Sequence, residues 1–183
     1  MTTNSLRLER ATDADLAAVA ALMNRAYRGP TAEAGWSHEA ALLDGSRTSE
    51  AMLRDEQAAK PEAQLLLWRR AQVVAGCVWL EPVGDDRWYL GSLTIEPTLQ
   101  AAGLGRALLA GAEAAIRSAG GRTVRMTVIQ LRDTLIAWYG RRGYQPTGET
   151  APFPYGDHRF GIPRRNDLHF VVLEKQLFAL PTD

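Results

Sequence analysis

Three strand-like runs joined by very short links constrain the fold of this chain more than any other feature. The runs are Gln64–Arg69, Gln72–Glu81 and Trp88–Ile95, and the links are Arg70–Ala71 and Val83–Asp86. A parallel connection needs a crossover of a dozen or more residues, so each run must pair with the next in antiparallel orientation. The middle of the chain is therefore predicted to form an antiparallel meander.

Hydrophobic spacing predicts further elements on both sides of the meander. Leu6–Arg10 alternates as a strand does, and Thr12 offers an N-cap for a helix that ends near Tyr27. A second helix is expected from about Ser49 to Ala59. After the meander we expect a helix over 104–119, a strand at Thr123–Val128 parallel to the third run, a short helix from Asp133 to about Arg142, and strands at Tyr144–Glu149 and Leu168–Leu177.

These elements predict one α+β domain that spans residues 1–183, with its core over about 5–178. The sheet is expected to be mixed and mostly antiparallel, with about seven strands and four helices in the order β-α-α-β-β-β-α-β-α-β-β. Two segments lack a regular pattern, residues 28–46 and Thr150–Asp167. Loops of this length in a compact domain are often functional.

Composition excludes several classes of function. The 183 residues include 21 Lys+Arg and 21 Asp+Glu, so charge gives no reason to expect nucleic acid as a partner. The longest mostly apolar run, Val73–Leu80, is far shorter than the ~20 residues of a membrane helix. Residues 1–15 lack the apolar core of a secretion signal, so we expect a cytoplasmic protein without a membrane partner. With one cysteine, Cys77, and three histidines at no recognisable ligand spacing, we expect no disulfide and no metal site.

The segment Gln100-Ala101-Ala102-Gly103-Leu104-Gly105 opens a predicted helix directly after a strand. Glycines let a ligand approach the backbone, and the free amides of a first helical turn suit a phosphate. A P-loop is excluded, because no Gly-x-x-x-x-Gly-Lys-Ser/Thr string occurs. A dinucleotide fingerprint is disfavoured, because Leu108 stands where a third glycine is needed. A helix that merely begins with glycines is the remaining alternative.

Two motifs together resemble the GCN5-related N-acetyltransferases (GNAT family). Gln100-x-x-Gly103-x-Gly105 after Leu93-Thr94-Ile95-Glu96-Pro97 is similar to the family's acyl-CoA pyrophosphate loop, and Tyr139-Gly140-Arg141-Arg142-Gly143-Tyr144 is similar to its Tyr-x-x-x-Gly-aromatic turn. The order of elements also matches the family fold. The chain departs at Arg132, where many members have asparagine. Arg132 could reach a phosphate of the cofactor or could simply be solvated.

The resemblance implies roles for the donor side of a site. The backbone of Leu93, Thr94 and Ile95 would pair with the pantetheine arm, and the Leu93 N–H would polarise the thioester carbonyl. Tyr139 would protonate the departing thiolate, although it could instead be a tyrosine packed on the core. The cofactor-binding residues expected are Leu93, Thr94, Ile95, Gln100, Ala101, Ala102, Gly103, Leu104, Gly105, Arg106 and Arg132.

The acceptor side is less well defined by the sequence. Glu81 is the first candidate for the general base and Glu39 the second, although each could be a surface carboxylate. The aromatic residues of the two irregular segments could enclose a small cationic amine, or could anchor loops on the core. The substrate-binding residues expected are Tyr27, Trp36, Glu39 and Tyr155, with Phe153 and Phe160 as further aromatics and Asp44 and Asp157 as further acids.

The resemblance therefore implies acetyl-CoA-dependent transfer of an acetyl group to an amine. A small-molecule amine is the expected acceptor, and the protein is expected to be a monomer or a homodimer. Two alternatives remain open. One is an enzyme that acetylates a protein N-terminus or lysine, and the other is a non-catalytic module that senses acyl-CoA.

Overall fold

The computed structural model describes residues 6–29 and 38–177, which form four α-helices and nine strands. The helices are α1 (Leu16–Arg28), α2 (Glu50–Ala59), α3 (Leu104–Ser118) and α4 (Asp133–Gly140). The strands are β1 (Glu9–Arg10), β2 (Leu43–Asp44), β3 (Gln64–Arg70), β4 (Val73–Pro82), β5 (Arg87–Ile95), β6 (Thr123–Ile129), β7 (Gln145–Pro152), β8 (Ile162–Pro163) and β9 (His169–Gln176).

Seven of the strands form one mixed sheet in the order β1-β3-β4-β5-β6-β9-β7. Every neighbouring pair is antiparallel except β5 and β6, which are parallel. The predicted meander and the predicted parallel pair are both confirmed. The structure therefore has the fold class that the sequence predicted, with a seven-stranded sheet and four helices.

The helices start where the sequence placed their caps. Both the backbone N–H and the hydroxyl of Thr12 donate to the Asp15 carboxylate, in a 3₁₀ turn that leads into α1. At the start of α2, the Ser49 hydroxyl accepts a hydrogen bond from the Met52 N–H at 3.2 Å. Such caps satisfy amides that have no partner within the helix.

Successive side chains of the central strands pack alternately in two hydrophobic cores, one on each face of the sheet. Val78 and Leu80 of β4 pack in one core with α3 and α4, while Cys77 and Trp79 pack in the other with α1 and α2. This is the period of two that a strand buried on both faces requires. Within the two described ranges, no helix combines the length and the apolar character that a membrane crossing needs.

The structure corrects the prediction for the two irregular segments. Leu43–Asp44 pairs antiparallel with Ile162–Pro163, so the two segments are joined in a second sheet. β7 also runs on to Pro152, into the segment that was predicted to be a loop. A two-residue strand contains no measurable alternation and exists only because its partner is present, so periodicity could not predict it.

Candidate active site

A cavity of about 550 Å³ lies where the two parallel strands of the sheet part. β5 and β6 are paired only over Arg87–Tyr89 and Thr123–Arg125. Beyond this point the strands diverge, and the Tyr89 hydroxyl bridges the opening to the Thr127 hydroxyl at 3.2 Å. The cavity is lined by both diverging ends, Leu90–Leu93 of β5 and Met126–Ile129 of β6.

A β-bulge in β5 shapes one wall of this cavity. Cys77 pairs with Thr94 and Trp79 pairs with Gly91, so β5 has one residue more than β4 in this interval. Ser92 takes up the irregularity with φ +50°, and its carbonyl accepts a hydrogen bond from the Thr94 hydroxyl at 2.9 Å. Bulges interrupt the ladder and redirect the backbone. The interruption lies next to Leu93, whose N–H the resemblance assigned to the thioester carbonyl.

The glycine-containing segment after β5 is built around its backbone. Residues Pro97–Ala102 form a 3₁₀ turn, and Gly103 leads into α3 with φ +72°. No atom lies within 4 Å of the point where a side chain on Gly103 would begin. The Gln100 side chain donates to the carbonyl of Ile95 at 3.0 Å, which ties the turn to the end of β5. The backbone at Gly103 is therefore open on the side where a side chain would begin.

Tyr139 lies on α4 and lines the same cavity as Leu93. Its ring contacts those of Trp138 and Tyr144 edge to face, with centroids at 5.0 and 5.6 Å. Burial raises the pKa of Tyr139 above its usual value, so the phenol stays protonated at neutral pH. Tyr139 is thus a packed residue that carries a protonated phenol and lines the cavity.

Three arginines lie close to one another at the ends of α3 and α4. The Arg142 guanidinium lies over the ring of Trp138 at 3.5 Å from its centroid. Burial lowers the pKa of Arg142, and the charges of Arg141 and Arg106 lower it further. Arg106 is in the first turn of α3, where a positive charge opposes the helix dipole. The region is thus suited to an anionic group.

Arg132 is not solvated, which corrects one of the two interpretations of this residue. Its side chain is 10% exposed and donates to Glu39 at 3.1 Å. The other oxygen of Glu39 accepts a hydrogen bond from Arg28 at 2.8 Å. Glu39, Arg132 and Tyr27 line the cavity together. Burial raises the pKa of Tyr27, which therefore carries a neutral phenol.

Glu81 also lines the cavity, on the side of β4. One of its oxygens accepts hydrogen bonds from Lys60 at 2.8 Å and from the indole of Trp79 at 3.2 Å. Tyr89 lies opposite Glu81 in the sheet and lines the same region. The Tyr89 ring lies over Gly91, where any side chain would collide with it at 2.8 Å. A carboxylate and two aromatic rings thus face this end of the cavity.

Part of the second irregular segment lines the cavity. Phe153 and Pro154 of this segment contribute to the lining together with Leu43 of β2 and Phe170 of β9. We call this part of the lining, with the β2–β8 pair, the roof. Tyr155 is not among the lining residues of the described chain, since it packs on Phe153 and its hydroxyl accepts a hydrogen bond from the Leu168 N–H at 2.6 Å. Tyr155 is thus a loop anchor in this structure.

The remaining acceptor candidates are divided between the surface and the undescribed part of the chain. Asp44 and Asp157 form exposed ion pairs with Arg164 and Arg159, and neither lines the cavity. Trp36 lies outside the described residues.

Several cavity residues were not candidates in the sequence. Trp79 and Tyr89 lie on strands that the sequence predicted correctly, and Lys60 directly follows α2, but nothing marked their side chains as lining a cavity. Arg47 also lines the cavity and lies over the ring of Tyr27 at 5.3 Å. Each is brought to the cavity by pairing between distant segments, which leaves no local signal.

Cys77 and the histidines contribute no chemistry that we can identify in the described chain. Cys77 is fully buried, and burial raises the pKa of its thiol to about 12. A thiol in this state is a poor nucleophile. No group of three or more His, Cys, Asp and Glu side chains in residues 6–29 and 38–177 is arranged to hold a metal ion.

The chain belongs to the acetyltransferase (GNAT) family, whose model matches residues 21–144. No curated protein matches it in sequence. Its fold is similar to that of the ribosomal-protein-S18-alanine N-acetyltransferase from Escherichia coli, with 17% identity, 95% of each chain covered and a TM-score of 0.67. It is also similar to a putative acetyltransferase from Salmonella typhimurium solved with acetyl-CoA, with 19% identity, 98% of each chain covered and a TM-score of 0.66.

The ribosomal-protein-alanine N-acetyltransferase from Brucella melitensis shares the fold as well, with 19% identity over 94% of this chain and all of that chain and a TM-score of 0.68. The family match confirms the predicted enzyme class, an acyltransferase that uses acetyl-CoA. These structural neighbours are below 25% identity, so they establish the fold alone.

Proposed function

We propose that this protein transfers the acetyl group of acetyl-CoA directly to the amine of a small molecule. The observation that carries the proposal is that one cavity is lined both by the buried, protonated Tyr139 and by Leu93, next to the bulge of β5. The cavity volume of about 550 Å³ is within the range of small-molecule sites.

The donor is assigned to the part of β5 that lines the cavity and to the start of α3, which follows β5 in the chain. The pantetheine arm would pair with the exposed backbone of β5, as an added strand does. The pyrophosphate would be held by backbone amides and the dipole of α3, supplemented by the charges around Arg106. The residues proposed to hold acetyl-CoA are Leu93, Thr94, Ile95, Gln100, Ala101, Ala102, Gly103, Leu104, Gly105 and Arg106.

For Arg132 we propose a role other than that of a phosphate ligand. Its guanidinium holds Glu39, and both side chains line the cavity. We therefore assign Arg132 and Glu39 to the acceptor side, together with Tyr27. Together these residues would give the acceptor side a buried set of charged and phenolic groups that could orient a polar group of the acceptor.

In the reaction, the acceptor nitrogen attacks the thioester carbonyl carbon, and the C–N bond forms as the C–S bond breaks. The Leu93 N–H donates to the carbonyl oxygen as negative charge develops on it. As the intermediate collapses, the nitrogen releases one N–H proton to water, and the thiolate takes the phenolic proton of Tyr139 and leaves as CoA thiol. Tyr139 then regains a proton from water. An ammonium acceptor loses one further proton to the base before it attacks, so each turnover yields one amide, one CoA thiol and one proton.

Glu81 is the better of the two candidates for the base. Both oxygens of Glu39 already accept hydrogen bonds from arginines, whereas the two donors to Glu81 share a single oxygen. Glu81 lies opposite Tyr89, about four residues along β5 from Leu93, so a water molecule would have to relay the proton. The same carboxylate, flanked by Trp79 and Tyr89, could hold a second positive charge on the acceptor.

The roof favours a small acceptor over a protein. An extended peptide needs an open groove, but the β2–β8 pair joins the two segments that would form the sides of such a groove. The exposed Arg164–Asp44 ion pair, at 2.7 Å, adds a second link between the same segments. A cytoplasmic location and the oligomeric state remain predictions.

A thermal melt with saturating acetyl-CoA, followed by an amine screen, tests the proposal. A ligand at ~100 times its Kd adds ~2.7 kcal/mol, which for this chain length corresponds to roughly 5–10 °C. Small amines and short peptides are then compared by release of CoA thiol. The absence of a shift in folded protein would contradict the donor site. Turnover of peptides but not of small amines would contradict the acceptor class.

A further inference from the structure

A partly buried charged cluster of Glu113, Lys175 and Tyr144 lies outside the cavity lining of the described chain and takes no part in the chemistry described so far. Glu113, in the middle of α3, is 6% exposed, and both of its oxygens accept hydrogen bonds from Lys175 of β9 at 2.8 Å. One of them also accepts the hydroxyl of Tyr144 at 3.0 Å. Tyr144 itself is 1% exposed.

Such a cluster is a poor device for stability alone. Burying the Glu113 carboxylate is unfavourable unless it is paired, and well-packed apolar residues of similar volume are often as stable as such a pair or more so. What the cluster does provide is orientation, because the hydroxyl of Tyr144 has one fixed acceptor. Burial raises the pKa of Tyr144, and the Glu113 charge raises it further, so the hydroxyl remains a donor.

The orientation of Tyr144 bears directly on Tyr139. The turn that ends α4 brings the two rings edge to face at 5.6 Å and 69°, and the Tyr144 N–H donates to the Tyr139 carbonyl at 3.2 Å. Gly143, in this turn, has φ +90° and lies against the stem of Lys175. The cluster therefore holds one side of the Tyr139 ring.

We propose that Tyr144 is a positioning residue, which transmits the fixed geometry of the Glu113–Lys175 pair to the phenol of Tyr139. Because Glu113 belongs to α3, this contact also couples the helix that would bind the cofactor to the group that would protonate the leaving thiolate. The inference rests on the proposed function, since it requires Tyr139 to be the general acid.

The test is a double-mutant cycle of Tyr144→Phe and Tyr139→Phe in the full chain. Tyr144→Phe keeps the ring and removes only the hydroxyl. Hydrolysis of acetyl-CoA serves as the assay, because water then replaces the unidentified acceptor while the thiolate still needs its proton. We expect Tyr144→Phe to lower kcat about tenfold with KM for acetyl-CoA unchanged, since small misplacements of catalytic groups have effects of this order.

The cycle separates positioning from general stability. If Tyr144 acts through Tyr139, its effect disappears in the Tyr139→Phe background. Thr123→Val is the matched control, because it removes a buried hydroxyl that bonds to Gln176 at 3.0 Å, away from the cavity. It should leave kcat within about twofold, as expected for distant, independent sites.

Three outcomes would overturn the inference. Equal effects of Tyr144→Phe in both backgrounds would mean that the residue is only structural. A normal kcat in Tyr144→Phe, with a lowered one in Tyr139→Phe, would remove the positioning role and leave the general acid intact. A normal kcat in Tyr139→Phe would instead remove the general acid, and the positioning role with it.

Discussion

The two walls of the cavity are built in different ways. The wall proposed for the donor is mainly backbone. It begins at the bulge of Ser92, which lines the cavity, and would continue to the turn at Gly103 and the first amides of α3. The acceptor wall consists mainly of side chains, such as Glu81 and Arg132, supplied by separate elements. A backbone wall suits a ligand that every member of a family shares, while a side-chain wall can change its ligand by substitution. Under the proposed function, the backbone wall would bind the shared acetyl donor, and the side-chain wall would set the specificity for the acceptor.

The largest effect is expected from Gly105→Glu, on the donor wall. The buried Gly105 lies in the first turn of α3, so the substitution adds bulk and negative charge where the pyrophosphate would sit. We expect affinity for acetyl-CoA, measured by calorimetry, to fall at least about a hundredfold, or ~2.7 kcal/mol. Gly84→Glu, in the exposed turn between β4 and β5, is the control and should bind normally. Equal affinity of the two variants would refute the loop assignment.

Tyr139→Phe is expected to have the next largest effect. Loss of a general acid lowers kcat by about a hundredfold or more, while acetyl-CoA affinity should remain within about twofold. Because burial raises the pKa of Tyr139, its proton is lost only above pH ~10, so this group should cause no decline in rate below that pH. A decline of the rate just above neutral pH that disappears in Tyr139→Phe would show that Tyr139 titrates there. This result would be inconsistent with its role as a general acid of raised pKa.

Glu81→Gln tests the acceptor wall. We expect kcat/KM for the acceptor to fall about tenfold, with unchanged affinity for acetyl-CoA. If Glu81 is the base, the deficit shrinks as the pH approaches ~10, where the amine deprotonates without help. If Glu81 instead binds a second positive charge of the acceptor, the loss in kcat/KM persists at high pH and is seen only with acceptors that carry two cationic groups. The exposed Glu62→Gln is the control, and a matching loss there would exclude both roles.

The smallest effect is expected from Arg164→Ala, which removes the ion pair to Asp44 across the roof. Exposed pairs contribute little, so we expect KM for the acceptor to rise only about two- to threefold. The Arg164 guanidinium holds the pKa of Asp44 below its usual value, so the contribution is lost as the pH falls through that lowered pKa. Arg165→Ala breaks a pair of the same length within the loop and should have no effect on KM.

The same contrast explains what could be predicted from the sequence. Gln100 and Gly103 lie in one short segment that bonds to its own strand, so the donor wall is encoded locally. Glu39 meets Arg132 across 93 positions, and the roof depends on two-residue strands in segments without periodicity. The residues of the acceptor wall could be suspected one by one, as Tyr27, Glu39 and Glu81 were, but their partners could not be named. Tyr155 was expected at the cavity and instead anchors the roof.

The short parallel joint between β5 and β6 has a consequence for how the protein resists unfolding. Four strands on one side and three on the other meet in the sheet only over Arg87–Tyr89 and Thr123–Arg125. A cofactor that pairs with the open edge of β5 would fill the space between β5 and β6 and add contacts between the two halves of the sheet. Protease resistance and amide exchange at the diverging ends should then follow the cellular supply of acetyl-CoA. The lifetime of the enzyme would in this way report on a metabolite it consumes.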